Sequence, residues 1–485
     1  MIRDLPRLAE CEFDVLVVGG GIHGLSIACD AAQRGLSVAL VERGDFGAAT
    51  SFNHLKTIHG GLRYLQSADF RRMRESIRER RAFARIAPRF VSPLAFAMPT
   101  GSSLARNPIA MKMAFAFDAL VGGDRNDGLG VTHHLPPGRV VAGAECRELF
   151  EGAVRSVASA ALWHDYQTTN GDRLTLSFAK AAASHGAALA NYTEACELLR
   201  NGRRVAGMTA RDNLTGEMFD IRARILVNAA GPWSATLLNH AGVRAGWPLL
   251  KAMNVVTSRP ARKAALVAPM RGGRALVMLP WQGRTLVGTS ESADQRQPDD
   301  QEARRGEVGG FLRDINEAFP AFALKEDEIT LVHRGVVPAA AHAGRLTLSG
   351  RSRIIDHAGD GGIPELISIV GVKYTTARAV AERAVDLVFR KLGRPPVQCR
   401  TAETVLPDAG LDDRDAADPI LHAIRDEMAH TLVDVVVRRT GLGAAGHPGD
   451  YVAADLAGRM QTAAGWSEER KRCEIEALKA FYDVL

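Results

Sequence analysis

The chain has 485 residues, which is enough for two or three domains with sizeable cores. Its content of 46% hydrophobic and 24% charged residues is typical of a soluble globular protein and excludes long disordered regions. The net charge of +6 is too small to indicate a nucleic-acid-binding protein, and it leaves an anionic small molecule or a membrane surface open as partners. The six cysteines form no C-x-x-C pair, so we expect no metal site and a reducing compartment.

The sequence contains no signal peptide before its first predicted strand, and no apolar stretch reaches the ~18 residues of a membrane-spanning helix. We therefore expect a cytoplasmic protein. Peripheral contact with the inner face of the cell membrane stays open.

A dinucleotide-binding pattern opens the chain. An apolar run at residues 13 to 18 predicts a strand, and it leads into GGGIHG at residues 19 to 24. The glycines with G-x-G-x-x-G spacing are Gly19, Gly21 and Gly24. Such glycines let the backbone turn sharply and approach a pyrophosphate, which then lies at the positive end of the following helix.

The context of these glycines strengthens the prediction. A helix is predicted over about residues 22 to 34, and a second apolar strand, residues 36 to 41, ends at Glu42. An acid at this place of a βαβ unit binds a ribose hydroxyl, which favours FAD or NAD over NADP.

A second nucleotide-type segment begins near residue 171. A predicted helix and strand are followed by an alternating strand at 204 to 211 and a hairpin turn at 213 to 216. The next buried strand ends at Ala230 and Gly231, where the backbone can lie close to a cofactor.

A third such segment is the strand at 366 to 370, which opens through Gly371 into a helix that begins near Thr375. An extended FAD is held by distant segments, whereas a fold that binds NAD alone seldom returns to its nucleotide twice. We therefore expect FAD, with the third helix directed at the flavin end.

Several motifs together resemble the FAD-dependent glycerol-3-phosphate dehydrogenases, and the resemblance extends over about residues 13 to 480. The first are ATS at 49 to 51 and KTIHGGLRYL at 56 to 65. The others are NAAGPW at 228 to 233, LPW at 279 to 281, VGTSE at 287 to 291, GVVP at 335 to 338, GVKYTT at 371 to 376 and RRTGL at 438 to 442.

This resemblance implies an α/β fold of the glutathione-reductase or D-amino-acid-oxidase type. A Rossmann-like FAD-binding domain would be interleaved with a β-sheet cap domain and followed by a helical C-terminal domain. We assign residues 1 to 75, 156 to 245 and 351 to 395 to the FAD-binding domain, 76 to 155 and 246 to 350 to the cap, and 400 to 485 to the helical domain.

The implied reaction is oxidation of a secondary alcohol, foremost sn-glycerol 3-phosphate to dihydroxyacetone phosphate in glycerol metabolism. Hydride would pass to flavin N5, and the electrons would pass to quinone. By the same resemblance Thr50 and Ser51 lie by the pyrophosphate, Arg63 and Tyr64 bind the substrate, and Lys373 and Thr375 lie by the flavin ring.

Two positions depart from the family where its substrate is bound. Val337 stands where the family has an arginine that holds the substrate phosphate, and Asn254 replaces a histidine near the reacting carbon. Arg334 would face the other side of its strand, so it does not replace the missing arginine. Arg351 is a candidate anion ligand, or a solvated surface residue.

The catalytic base is left open. His59, His54 and His333 are candidates, although each can equally be a packed histidine, and Lys373 or a bound water is an alternative. The substitutions at 254 and 337 also leave open an FAD oxidase or dehydrogenase of another 2-hydroxy acid or an amine, and a noncatalytic flavoprotein.

Two segments are candidates for membrane contact. Residues 70 to 90 carry eight arginines on a predicted helix, and residues 111 to 117 are strongly apolar. Solvated arginines that cover a core, and a packed cap segment, are the alternative interpretations. The oligomeric state stays open.

Overall fold

The fold is described from a computed structural model. It covers residues 1–62, 64, 69–103, 106–154, 156–202, 204–240, 242–270, 274–300, 302–342, 345–359, 362–410 and 418–483. Arg63, a predicted substrate ligand, lies outside the described residues.

The strands of the described residues belong to two sheets. In chain order they are β1 (Glu12–Val18), β2 (Val38–Val41), β3 (Thr57–Ile58), β4 (Val91–Pro99), β5 (Arg139–Ala142), β6 (Ser159–Thr168), β7 (Ala188–Ala190), β8 (Thr193–Asn201), β9 (Arg204–Asp212), β10 (Met218–Asn228), β11 (Leu249–Pro260), β12 (Ala265–Pro269), β13 (Ala275–Trp281), β14 (Arg284–Glu291), β15 (Ile329–His342), β16 (Arg345–Leu348), β17 (Arg353–Asp356) and β18 (Leu366–Val370).

Helices flank the first sheet and form the end of the chain. They are α1 (Leu5–Glu10), α2 (Ile22–Gln33), α3 (Phe70–Ile86), α4 (Pro108–Val121), α5 (Gly143–Phe150), α6 (Gly171–Ser184), α7 (Ser234–His240), α8 (Arg305–Ala318), α9 (Ala377–Lys391), α10 (Pro419–Asp426), α11 (Asp450–Ala464) and α12 (Glu468–Tyr482). A π-helical turn, Asp434–Arg439, lies between α10 and α11.

The first sheet has the strand order β17-β18-β10-β1-β2-β7, and β9 and β8 continue from β10. The strands β18, β10, β1, β2 and β7 run parallel, so their carboxyl ends lie at one edge. Side chains alternate across β1: Val15 and Val17 pack in the core beneath α2, α6 and α9, whereas Leu16 and Val18 pack in the core on the other face. Each such side chain stabilises the fold by roughly 1.5–3 kcal/mol through burial.

The second sheet has the order β16-β15-β11-β14-β13-β12-β4-β6-β3, with β5 beside β6. The C-terminal helices pack against it, since Leu432, Val435 and Val436 share a hydrophobic cluster with Val256 of β11 and Leu331 of β15. The cap sheet and the C-terminal module therefore have a continuous core.

The strand β6 belongs to the cap sheet, where it pairs with β4 along its whole length. The sequence-based boundary at residue 156 assigned it to the FAD-binding domain, and for this strand the assignment was wrong. The physical reason is that β6 alternates like any half-buried strand, and only its distant partner β4 determines which sheet it joins.

The two segments considered for membrane contact lie on helices: α3 covers most of the stretch predicted to be helical, and the apolar residues 111 to 117 lie within α4. Three of the seven arginines of α3 pair with acids elsewhere in the protein: Arg74 and Arg81 with Asp124, and Arg80 with Asp165. In contrast, α4 exposes a run of apolar side chains, which are Ile109, Met113, Phe117 and Leu120. Within the described ranges, no helix combines the length and hydropathy needed to cross a bilayer.

Candidate functional site

A cavity of about 1450 Å³ extends from the carboxyl edge of the first sheet to the cap sheet. It is larger than the roughly 300–1,000 Å³ of most small-molecule sites, as an extended dinucleotide with a substrate requires. The predicted site residues that line it are Gly19, Gly21, Glu42, Thr50, Ser51, His59, Ala230, Gly231, Asn254, Gly371, Lys373 and Thr375. Its two ends differ in character.

The glycine turn after β1 leaves no room for side chains. Gly19 has a φ of +107°, and a Cβ there would lie 2.5 Å from the carbonyl oxygen of Ala229. A Cβ on Gly24 would lie 1.9 Å from the carbonyl oxygen of Gly19. Gly21 is the N-cap residue of α2 and has no side chain that could bond to the helix N-terminus. The Ser51 hydroxyl accepts the Ile22 N–H at 2.9 Å instead. This end fits a pyrophosphate held by backbone N–H groups.

Glu42 lies beside this turn, where the sequence predicted a ribose ligand. Its carboxylate accepts the backbone N–H groups of Gly20 at 2.6 Å and Gly44 at 2.9 Å. Burial raises the pKa of Glu42, and these two hydrogen bonds oppose the shift. The carboxylate is thereby fixed at the cavity wall.

The three nucleotide-type segments of the sequence meet here. Gly19 adjoins Ala229 after β10, and a Cβ on Gly371 after β18 would lie 2.5 Å from the ring of His23 in α2. Burial lowers the pKa of His23 to about 4, so this ring is neutral at physiological pH. Sequence reasoning missed His23, although its place between two glycines of the motif was a signal.

At the far end of the cavity, the segment after β18 meets the KTIHGG turn. The Thr375 hydroxyl accepts the backbone N–H of His59 at 3.3 Å. The Lys373 ammonium donates to the phenolic oxygen of Tyr64 and lies 4.4 Å from the centre of its ring. His59 is therefore bonded to Thr375, and Tyr64 to Lys373, in the segment where two loops meet.

The turn at residues 49 to 53 joins the nucleotide end to the cap sheet. Thr50 donates its hydroxyl hydrogen to the Val336 carbonyl at 3.1 Å. Asn53 accepts the backbone N–H of Arg334 at 2.7 Å. This turn fixes β15 against the cofactor-binding lobe.

Asn254 is built into the cavity wall. Its amide nitrogen donates to the Asn53 carbonyl at 2.8 Å, and its amide oxygen accepts the Thr289 hydroxyl at 2.8 Å. A Cβ on Gly288 of the neighbouring strand would lie 1.9 Å from that amide oxygen, so the glycine makes room for it. Asn254 is thus a fixed polar group that cannot serve as a base.

Val337 also lines the cavity, half-buried on β15 where it pairs with Leu250. Arg334 is not among the residues that the structure describes along the cavity wall, in agreement with the sequence interpretation. No cation from β15 therefore replaces the family arginine, as far as the described residues extend.

The three histidines proposed as bases have different surroundings. His59 and His54 line the cavity, whereas His333 is fully buried behind it against Phe52. Burial and then the nearby charge of Lys56 lower the pKa of His54 to about 3 and hold that of His333 well below its usual range. His333 is a packed residue with neither ring nitrogen paired within the described structure.

Several charged residues near the cavity were not singled out from the sequence. Arg106 and Arg274 line it, and Asp165 accepts the Gly60 N–H at 2.6 Å beside Arg80. Arg351, which was singled out, pairs with Asp69 at 2.7 Å, with 72% of its side chain exposed. Among the described residues, Arg351 is not part of the cavity wall.

Away from the cavity, Asp408, His422 and Glu427 place one ligand atom each within 4.8 Å of one another. Both carboxylates already pair with Arg173, at 2.7 and 2.6 Å, and with Lys180. Their charge is thus balanced without a metal ion.

The parallel sheet, the glycine turn and the second approach at Gly371 define an FAD-dependent oxidoreductase. The family described as FAD dependent oxidoreductase matches residues 14–387. The family described as C-terminal domain of alpha-glycerophosphate oxidase matches residues 412–471. FAD is the cofactor, as predicted.

Curated relatives narrow this class. A glycerol-3-phosphate dehydrogenase of Synechocystis is 28% identical over 98% of this chain and 97% of its own length, and one of Mycobacterium leprae is 30% identical over 84% and 67%. The chain belongs to the family of FAD-dependent glycerol-3-phosphate dehydrogenases.

A solved structure confirms the predicted fold class. The glycerol-3-phosphate dehydrogenase of Bacillus halodurans in complex with FAD superimposes with a TM-score of 0.74, at 22% identity, over 99% of this chain and 96% of that one.

Proposed function

We propose that this protein oxidises a small secondary alcohol, foremost sn-glycerol 3-phosphate to dihydroxyacetone phosphate, and passes the electrons to quinone. One observation carries the proposal: a single cavity is lined by the glycine turn, His59 and Lys373, and the Lys373 ammonium bonds to the buried Tyr64. When bound, FAD supplies the hydride acceptor at flavin N5.

The chain's own residues would bind and deprotonate the substrate. We assign His59 as the base that takes the hydroxyl proton, because it lines the cavity and its backbone is fixed by Thr375. Lys373 would stabilise negative charge at the flavin end, and Tyr64 would orient the substrate. Arg63 keeps its predicted role as a ligand for the substrate anion.

The position that would bind the substrate phosphate differs most from the family pattern. The uncharged Val337 stands there, where the family has an arginine. Arg106 and Arg274 also line the cavity and offer a positive charge to an anionic group there. This observation supports a second candidate, which is oxidation of another 2-hydroxy acid or an amine.

The test is anaerobic mixing of the holoprotein with sn-glycerol 3-phosphate, L-lactate or L-amino acids while flavin absorbance is followed. We expect bleaching by glycerol 3-phosphate and little by the others. Bleaching by lactate or an amino acid alone supports the second candidate, and no bleaching by any compound supports a noncatalytic flavoprotein. Peroxide formation in air would distinguish an oxidase from a quinone-linked enzyme.

The exposed face of α4 supports contact with a membrane, where quinone resides. Ile109, Met113 and Leu120 are 72%, 69% and 79% exposed, and Phe117 packs its ring 5.1 Å from that of Phe70. The opposite face of α4 places Met111 in the cavity wall. A lipid-bound α4 would therefore bring the cavity to the bilayer surface.

Flotation with anionic phospholipid vesicles tests this contact. The triple variant Ile109→Ser, Met113→Ser and Leu120→Ser should lose vesicle binding and quinone reduction but keep reduction by substrate. The exposed apolar residues Leu214→Ser and Met218→Ser, on the β9–β10 hairpin, serve as the matched control. Equal binding by both variants would contradict the contact.

A further inference from the structure

The C-terminal module is joined to the loop that follows Glu42 by a buried ionic cluster. Asp45, with 2% of its surface exposed, accepts hydrogen bonds from two adjacent arginines of the π-helical turn. Arg439 reaches its two oxygens at 2.7 and 2.8 Å, and the Arg438 Nε reaches Oδ2 at 2.6 Å. Asn191 donates to Oδ1 at 3.0 Å.

The π-helical turn explains how two adjacent residues reach one carboxylate. The Thr440 N–H bonds to the Val435 carbonyl, five residues back, at 2.9 Å. This wider turn changes the angle between successive side chains, and such turns are frequent at functional sites. Arg438 also bonds to Asp434, and Arg439 to the Glu427 carbonyl at 2.9 Å, so both guanidinium groups are fixed.

Asp45 lies between the two loop residues that bond to the glycine turn. On one side Glu42 accepts the Gly20 N–H at 2.6 Å, and on the other side the Gly47 N–H donates to the Gly20 carbonyl at 2.9 Å. The backbone turn that would hold the cofactor pyrophosphate is thus bonded to this loop through Gly20.

We propose that Arg438 and Arg439 are positioning residues for FAD, which hold the loop at 42 to 47 in its cofactor-binding form through Asp45. The C-terminal module is thereby part of the nucleotide site without contacting the nucleotide. This inference depends on FAD binding and not on the identity of the substrate.

The charge balance of the cluster agrees with a fixed arrangement. Burial alone would raise the pKa of Asp45, but Arg439 and Arg438 hold it well below its usual range. A buried carboxylate that accepts hydrogen bonds from three residues is fixed in place. Removal of one charged partner destabilises the folded protein, because the buried negative charge is then poorly balanced. Loss of Arg439 should therefore displace the loop.

The first test is the dissociation constant of FAD, measured by flavin fluorescence on the full-length protein. Arg439→Met should raise it at least about tenfold, and Arg439→Lys should restore part of the affinity. Arg459→Met is the matched control, because Arg459 of α11 pairs with Asp418 at 2.7 Å within the same module, with no described bond to Asp45 or Glu427. The control should lower thermal stability without changing the FAD dissociation constant.

The second test needs no variant that might fail to fold. Coupling is reciprocal, so FAD binding should slow amide hydrogen exchange at residues 434 to 442 in the unaltered protein. Unchanged exchange there on adding FAD, or equal loss of FAD affinity in Arg439→Met and Arg459→Met, would overturn the proposal.

Discussion

The two ends of the cavity are built by different means. At the nucleotide end the binding groups are backbone atoms of Gly19 to Gly24, held so closely that a Cβ at Gly24 would lie 1.9 Å from another residue's oxygen. At the substrate end they are side chains on separate strands, such as Asn254 on β11 and Val337 on β15. A side chain there can change without disturbing the strand that carries it.

This difference explains which part of the family pattern is kept. Glycine is required wherever the main chain itself approaches the cofactor. At position 254 an asparagine bonds to Asn53 and Thr289 in the cavity wall, and at 337 the uncharged side chain of a valine lines the cavity. The fold therefore preserves the cofactor and permits a change of substrate.

The largest expected effect lies at the nucleotide end. Gly24→Ala places a methyl group against the Gly19 carbonyl, so the turn must move and FAD should be lost, with an affinity at least about a hundredfold lower. Gly458→Ala in α11 is the control, because a Cβ added there would have no described atom within 4 Å, and it should raise stability by up to about 1 kcal/mol. Flavin retained on a desalting column measures the cofactor loss, and thermal unfolding measures the stability of the control.

A smaller effect is expected at the substrate end. His59→Gln should keep FAD bound but lower the rate of flavin reduction by about 10²–10⁴-fold, because the glutamine cannot accept the proton. Stopped-flow absorbance at several pH values measures this. A rate within a factor of two of the unaltered enzyme would show that another group is the base.

Acid should destabilise the junction between the two ends, where His23, His54 and His333 are neutral in the folded protein. Their pKa values are lowered by burial, to about 4 for His23 and about 3 for His54. Unfolded histidine binds a proton below pH ~6.5, so the free energy of unfolding falls as pH drops from there to about 4. Each histidine contributes a slope of about 1.4 kcal/mol per pH unit.

His333→Phe should reduce the slope of the unfolding free energy against pH by about 1.4 kcal/mol per pH unit, because phenylalanine cannot be protonated. Urea unfolding at pH 7, 5.5 and 4.5 in excess FAD measures it, with the exposed His185→Gln as control. An unchanged slope in His333→Phe would mean that this ring is protonated in the folded protein.

The smallest effect is expected for Arg351, whose exposed side chain pairs with Asp69 outside the cavity wall. Arg351→Ala should change the KM for an anionic substrate by less than about twofold. A larger increase in KM, with unchanged stability, would restore Arg351 as a substrate ligand.

The sequence predicted those features that depend on local pattern. The βαβ unit with its glycines and Glu42, and the approach at Gly371, follow from apolar runs that end in glycine at the same edge of a parallel sheet. The clustering of His59, Lys373 and Thr375 came from the resemblance to the family, and the hydrogen bond between His59 and Thr375 agrees with it.

Features that depend on distant partners were not predicted. β6 was assigned to the wrong domain because its partner β4 lies far away in the chain. Asp45 was not singled out from the sequence, because its arginine partner Arg439 is 394 positions away. Two arginines directly after the apolar residues 435 to 437 were the available signal for a buried ion pair.

The most direct test of the contrast between the two ends is Val337→Arg, which restores the family's cation at the substrate end only. We predict an unchanged FAD dissociation constant and a concentration of sn-glycerol 3-phosphate for half-maximal flavin reduction that is at least about tenfold lower, as expected for a new charged hydrogen bond to phosphate. No improvement in that concentration, or a loss of FAD, would contradict the account.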